Sequence, residues 1–413
     1  MESKMVSANP IATPEFSDDE FRAKIRGFLA RHGEPEGWLR DEYGRAPDDN
    51  APNEVRLARN RRCLELLHKE QLGAIAWPVE YGGQGLTNRH QVIFNQEAAD
   101  YSLPLTMFII GQGMCAPTVL KYGTDAQKNR YLPSLLGGEE IWCQLFSEPG
   151  AGSDLASVSC CADRDGDGWL INGQKVWTSG AHNATFGLLL ARSDTTAARH
   201  AGLTAFIVPM DSPGIEIRGL MEMTGATKFN EVFFTDCHLV PEAVLGEVGE
   251  GWRCATTTLM NERVAIGTGS PGGYGFPSSV LFQEARRRSC SSDVAVIDKI
   301  ASIVVAERIV EFLGMRVTET LLAGTEPGPE GSIAKLAGTR LSKESAALAM
   351  EIAGLASVAW DPSIAGGGTW ADVMTATPGL SIAGGTDEIM RNILAERVLG
   401  LPREPRPTLD SGG

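Results

Sequence analysis

Chemistry in this chain concentrates in a few short segments. The run Gln144-Leu-Phe-Ser-Glu-Pro-Gly-Ala-Gly-Ser-Asp154 gathers an amide, two hydroxyls and two glycines into one turn-forming stretch. Its backbone N–H groups, its small residues and Ser153 are suited to approach a phosphate or a flat heterocycle, because glycine allows that contact with no Cβ in the way. The spacing is neither that of a P-loop nor G-x-G-x-x-G, so it gives no support to a Walker or Rossmann site. Further on, Gly173-Gln-Lys-Val-Trp-Thr-Ser-Gly180 sets a large aromatic beside two hydroxyls where a strand ends. On residue types alone, an ordinary polar turn and a core tryptophan explain the same two segments. The eight cysteines contain no C-x-x-C and no Cys/His grouping at zinc spacing, so they read as scattered core thiols in a reducing compartment, with no metal site.

The elements that must position these segments follow from periodicity. Apolar residues at helical spacing mark 18–32 (Phe21, Ile25, Phe28, Leu29) and 53–70 (Val55, Leu57, Leu64, Leu66, Leu67), giving a helical N-terminal region over about 15–140. From about 141 to 245 the texture changes to short β-rich runs at 169–171, 187–191, 204–208, 215–217 and 231–234, broken by turn signals such as Asp165-Gly-Asp-Gly and Asn172-Gly173. Helical pattern returns at 253–267, 293–322, 331–353 and 386–399, with Gly/Pro-rich loops at 267–279 and 324–331 and a frayed tail at 404–413. The order predicts an α+β chain: a helical domain, a β-barrel-like middle domain at 141–245, and a C-terminal helical bundle at 246–403.

Composition narrows the function classes. The 413 residues carry 37 Lys+Arg against 52 Asp+Glu, a net charge of −15, with 43% hydrophobic and 22% charged residues. That balance is globular, and the length is ample for several domains and a large bound cofactor. Nucleic-acid binding is disfavoured, because phosphate neutralisation needs clustered cations and the longest basic run is Arg286-Arg287-Arg288. No run approaches the roughly 18 apolar residues of a membrane span, and residues 1–14 lack a secretory pattern, so the cytoplasm is the expected compartment.

Taken together, the two chemical segments resemble the middle-domain signature of the acyl-CoA dehydrogenase family of flavoproteins. Other stretches agree in the family's order: Trp77-Pro-Val-Glu-Tyr-Gly-Gly-Gln-Gly85, Tyr122-Gly-Thr-Asp-Ala-Gln, Phe229-Asn-Glu-Val-Phe-Phe234, Ala383-Gly-Gly-Thr-Asp-Glu-Ile-Met-Arg391 and Leu399-Gly-Leu-Pro402. The similarity runs from about residue 15 to residue 403. It implies an acyl-CoA dehydrogenase-like fold with a C-terminal four-helix bundle, and FAD between the β-domain and helices of its own and a neighbouring chain. By resemblance, Gln144, Phe146 and Ser147 edge the flavin ring, Gly152 and Ser153 approach the pyrophosphate, Trp177 covers one flavin face, and Thr178 and Ser179 reach toward N5. Thr386 and Glu388 match FAD-contacting positions, and Ser153, Leu259, Arg263, Gly384 and Gly385 fall at the substrate side.

The implied reaction is α,β-desaturation of an acyl-CoA thioester: a base takes the α-proton while hydride leaves the β-carbon for flavin N5. In many members the base is a glutamate two residues before the C-terminal Thr, and Gly384 stands there instead. Isovaleryl-CoA and steroid-side-chain branches place it immediately before the Arg of the helix Leu259-Met-Asn-Glu-Arg-Val-Ala-Ile-Gly267, which points to Glu262, with a solvated surface Glu-Arg pair as the bland alternative. The family's Arg-x-x-Phe-Gly segment, which reaches the partner subunit's FAD, is missing from Glu284-Ala-Arg-Arg-Arg-Ser-Cys. The resemblance therefore implies electron-transfer flavoprotein as acceptor and a homodimer or homotetramer, with a heterotetramer containing a paralogue, a catalytically silent subunit and an offshoot with different flavin chemistry left open.

Overall fold

Residues 17–33, 51–267, 275–323, 328–329, 331–359 and 368–403 are described in a computed structural model, the side chains of 263–267 and 321 excepted. The expected tail at 404–413 and most of the loops at 267–279 and 324–331 lie outside them. Helix α1 (Asp18–His32) starts at Ser17, whose hydroxyl accepts from Glu20 N while the Glu20 carboxylate returns to Ser17 N, a reciprocal capping box. Its apolar residues at helical spacing bury against Cys63, Leu66 and Leu67 of α2 (Asn53–Lys69) and Ile93 and Phe94 of α3 (Asn88–Glu97). A short π-turn, Gly111–Cys115, leads into α4 (Ala116–Tyr122), and α5 (Asp125–Leu136) follows. Beyond capping α5 with Thr124, Gln127 donates to the carbonyls of Glu242 and Val244 at 2.9 and 2.8 Å, which fastens this helical region to the sheet.

The middle of the chain folds as β1 (Trp142–Leu145), β2 (Cys161–Asp165), β3 (Gly168–Ser179), β4 (Phe186–Arg192), β5 (Leu203–Pro209), β6 (Ile215–Leu220), β7 (Phe229–Leu239) and β8 (Val244–Leu245). The order is β6-β7-β3-β2-β4-β5-β8, with β1 added in parallel to β4. Gly166, at φ 58°, supplies the left-handed residue that turns β2 into β3. Strands β4 and β5 are buried on both faces and read as unbroken apolar runs, not as alternation. Leu188, Leu190, Ala205 and Ile207 join Cys115, Val119, Leu132 and Leu135 in the core shared with the helices. Leu189, Ala191, Phe206 and Val208 face the other way, onto Trp169, Ile171 and Val232.

The C-terminal helices are α6 (Gly251–Gly267), α7 (Ser278–Arg287), α8 (Val294–Leu322), α9 (Gly331–Ala353), α10 (Thr369–Ala376) and α11 (Asp387–Ile393), the last running on as a π-turn to Val398. Helix α7 lies partly in what the sequence presents as loop. Val280, Leu281 and Ala285 form its buried face, and Glu307 of α8 accepts from Ser278 N and Oγ at its start, at 2.7 and 2.6 Å. Helix α6 is keyed to α4 by two hydroxyl pairs: the buried Thr118 and Thr258 at 2.8 Å, and Tyr122 with Thr257 at 3.0 Å. Among the described residues no helix is long and apolar enough to cross a membrane, and no group of three or more His, Cys, Asp or Glu is placed to hold a metal. All eight cysteines are free thiols.

A pH dependence follows from the N-terminal core. His90 is 2% exposed, its Nδ1 pairs with the Thr87 hydroxyl at 2.9 Å, and its Nε2, beside the Phe21 ring, is buried with no hydrogen-bond partner among the described residues. Burial holds its imidazole below the ordinary 6.5, with Asp18 opposing the shift and Arg89 adding to it. The folded ring therefore stays neutral where the unfolded chain already takes up a proton, and stability declines as pH falls below about 6.5 toward the lowered value. Denaturant midpoints measured from about pH 7.5 to about pH 5, on either side of the ordinary His value, should show that decline, and His90→Gln should flatten it.

Candidate active site

Two of the chemically distinctive segments meet at one joint in the sheet. Lys175 of β3, wholly buried, donates through Nζ to Glu148 Oε1 at 2.8 Å and to the Phe146 carbonyl at 3.0 Å. Glu148, also buried, accepts further from Ser159 N, Ser159 Oγ and Cys160 N at 2.7, 2.8 and 2.9 Å. Burial pushes the Glu148 carboxyl up, but the Lys175 charge and the hydrogen bonds outweigh it and hold it below the usual carboxylate range. Burial also draws the Lys175 ammonium below its ordinary value, against the pull of its partner. Neither residue stands out as a site residue in the sequence. The available signal was a charged residue inside each otherwise small or apolar motif.

The joint sets what comes next along both strands. Val176 N donates to the Ser147 carbonyl at 2.9 Å, and Glu148 and Ala151 exchange backbone hydrogen bonds at 3.0 Å across Pro149–Gly150. The ladder between β3 and β7 then slips between Lys175 and Thr178, a bulge that throws Trp177 outward. Trp177 sits at φ 60°, a conformation that costs an indole-bearing residue about 1 kcal/mol or more. The residue is 61% exposed, with its ring edge-on to Phe229. Beside it the Thr178 hydroxyl is buried and has no hydrogen-bond partner among the described residues, while its carbonyl accepts from Asn230. Around the turn a Cβ added at Gly150 or Gly152 would meet nothing within 4 Å, and Gln144 and Ser147 are half-buried. Ser153 is exposed, next to Asp154, which pairs with Arg199. An exposed tryptophan, an orphaned hydroxyl and an open glycine turn, gathered where β3 ends, fit a planar ring carrying hydrogen-bonding and phosphate groups.

The remaining residues singled out in the sequence fall on the C-terminal helices. Glu262 stands near the end of α6, partly buried, with its Oε2 shielded from solvent. It is not a solvated surface glutamate. Its charge is felt by the Cys115 thiol of the π-turn, which burial first, then Cys143 and Glu262, hold well above the usual range. Leu259, one turn earlier, packs on the shared core, and the Arg263 side chain lies outside the described residues. Gly384 and Gly385 take positive φ, 65° and 92°, and a Cβ at Gly385 would meet Met390 Cε at 2.5 Å. Thr386 caps α11 by accepting from Ile389 N at 3.2 Å, and Asp387 pairs with Lys335 of α9 at 2.7 Å. Glu388 is exposed beside Arg391. Helix α9 packs against both α6 and α11 and so connects these two groups. Ser179, partly buried, ends β3.

Comparison with known proteins agrees along the whole length. Family models for the N-terminal, middle and C-terminal domains of acyl-CoA dehydrogenases match residues 17–139, 143–237 and 249–399. Acyl-CoA dehydrogenase IpdE1 of Mycobacterium tuberculosis is 37% identical over 394 residues, covering 94% of this chain and 99% of that protein. Acyl-CoA dehydrogenase FadE34 of the same organism is 42% identical over 327 residues, 79% of this chain and 44% of its own length. Among solved structures, the ChsE4–ChsE5 complex from Mycobacterium tuberculosis superposes with a TM-score of 0.76 at 27% identity, over 97% of this chain and all of that one. With three matched domains in order and a relative of 37% identity along nearly its whole length, the chain belongs to the acyl-CoA dehydrogenase family and is an FAD-dependent oxidoreductase of that kind.

Proposed function

We propose that the protein converts an acyl-CoA thioester to its 2-enoyl-CoA, with Glu262 as the base that removes the α-proton. The observation that carries this reading is the partly buried Glu262 near the end of α6, one carboxylate oxygen of which is shielded from solvent, in a chain whose alternative base position is Gly384. FAD, when bound, supplies the acceptor for the hydride that leaves the β-carbon. In this reading Gln144, Phe146, Ser147, Gly152, Ser153, Trp177, Thr178, Ser179, Thr386 and Glu388 bind the cofactor. Ser153, Leu259, Arg263, Gly384 and Gly385 border the substrate, and the Gly384 N–H donates to the thioester carbonyl as enolate character develops. We take the working domain limits to be 15–140, 141–245 and 246–403. A steroid acyl-CoA dehydrogenase assembled from Tcur3481 and Tcur3483 superposes with a TM-score of 0.76 at 26% identity, so polycyclic thioesters belong among the substrates to be tried beside straight and branched ones.

Electron-transfer flavoprotein is the acceptor in this reading, and the working state is an oligomer. Support for association comes from α8, whose Val305, Ile309, Phe312 and Met315 lie at helical spacing with half or more of each exposed. A heteromer with a paralogue is the second reading, and one observation favours it. Two of the three arginines where the family's trans-acting segment is missing are already engaged: Arg288 and Arg287 meet the buried Glu284 at 2.6 and 3.7 Å.

Replacing Glu262 by Gln should leave FAD bound and lower acyl-CoA-dependent flavin bleaching by about a hundredfold or more, the low end for a general base. Adding Gly384→Glu should restore part of it, limited by the strain of a side chain at φ 65°. Bleaching at the native rate in the Gln variant would remove Glu262 from the mechanism. Light scattering at micromolar protein should report a dimer or larger, alone or with a paralogue, and Phe312→Asp should shift that mass toward the monomer.

A further inference from the structure

We propose that Lys175 and Glu148 are positioning residues for the flavin site. The inference rests on the reading of 144–153 and 177–179 as flavin-contacting segments. A buried ion pair is a poor choice for stability alone, because withdrawing both charges from water costs several kcal/mol per ion and apolar replacements of similar volume commonly do as well. What the pair adds is direction. Lys175 Nζ fixes the Phe146 carbonyl and the Glu148 carboxylate together, at 3.0 and 2.8 Å. The carboxylate in turn gathers Ser159 and Cys160 from the far side of the glycine turn. The next residue along β3, Val176, holds the Ser147 carbonyl. The Phe146 and Ser147 carbonyls and the Glu148 carboxylate are thus referenced to Lys175 and Val176, immediately before Trp177 adopts φ 60° at the bulge. An apolar contact would keep the two segments close but would not set the orientation of the Phe146–Ser147 peptide or brace the bulge. One buried pair therefore ties the proposed ring-edge backbone, the ring-covering indole and the pyrophosphate turn into a single rigid piece.

The test separates this from a purely structural role. In the full-length protein, Lys175→Met leaves Glu148 buried and uncompensated, whereas Glu148→Gln with Lys175→Met removes that penalty but not the loss of direction. The double variant should regain the native near-ultraviolet dichroism and still bind FAD about tenfold or more weakly, with an altered visible flavin spectrum, the scale of a lost charge-assisted hydrogen bond. Half-saturation by acyl-CoA should change little. Glu148→Asp, which keeps both charges but withdraws the carboxylate by one methylene, should show the same flavin signature in a folded protein and carries the test if the double variant does not fold. Native FAD affinity and spectrum in whichever of these variants folds would overturn the proposal. Absence of flavin from the wild-type protein would instead overturn the reading on which it rests.

Discussion

The buried Glu148–Lys175 pair is the constraint on which the geometry of the candidate site depends. In the low dielectric of the sheet interior either charge alone would be strongly unfavourable, so each residue requires the other in place. Their mutual requirement joins two segments 27 residues apart in the chain. The strain at Trp177 persists because the strands on either side over-determine it: the backbone before it is fastened to Ser147 and the backbone after it is paired with β7. An exposed indole in a left-handed conformation would otherwise relax into the ladder.

A second constraint operates where the sheet meets the C-terminal helices. Strands β4 and β5 lie between two cores, so the first helical region and α6 share one face of the sheet and must be mutually registered. The threonine pair between α4 and α6 performs this registration, since a slip of one residue would break the bond between the two buried hydroxyls and leave each with only a carbonyl of its own helix, Met114 for Thr118 and Cys254 for Thr258. Thr258 and Glu262 are one turn apart on α6, so the same pair governs how far the proposed base reaches toward the π-turn at Cys115.

What the sequence made legible was whatever local chemistry dictates. Helix α1 was readable because Ser17, Glu20 and the spacing of Phe21, Ile25 and Phe28 all act within a few residues. The change from helical to β texture was readable because β-branched runs and Gly-containing turns are local signals too. Helix α7 was hidden, because its start is completed by Glu307, 29 residues away, and the preceding Gly/Pro run argues for loop. Lys175 and Glu148 were hidden for the same reason: each looks like an ordinary surface charge until the strand pairing brings them together. The flavin-facing roles proposed for Trp177 and Thr178 rest on family resemblance, and an exposed tryptophan and an orphaned hydroxyl are consistent with them.

The arginines after α7 show how the same residue type can be spent on the fold or on a partner. Glu284 is buried on the inner face of α7, facing the cluster that contains Leu281, Ala285 and Trp370. A carboxylate there needs cations close by, and Arg288 and Arg287 supply them from the end of their own helix, where positive charge also suits the helix dipole. Moving either guanidinium to an outside phosphate would leave Glu284 less compensated in a dry environment, a loss that a new surface contact would have to exceed. Arg286 is exposed, but a single exposed arginine holds a pyrophosphate far less firmly than a pre-oriented pair. If FAD in this protein is completed across a subunit boundary, the charge this chain can offer in trans is small, and the burden falls on the other chain. On the second reading proposed above, a heteromeric assembly with one well-furnished partner accommodates such a shortfall more readily than a symmetric homomer.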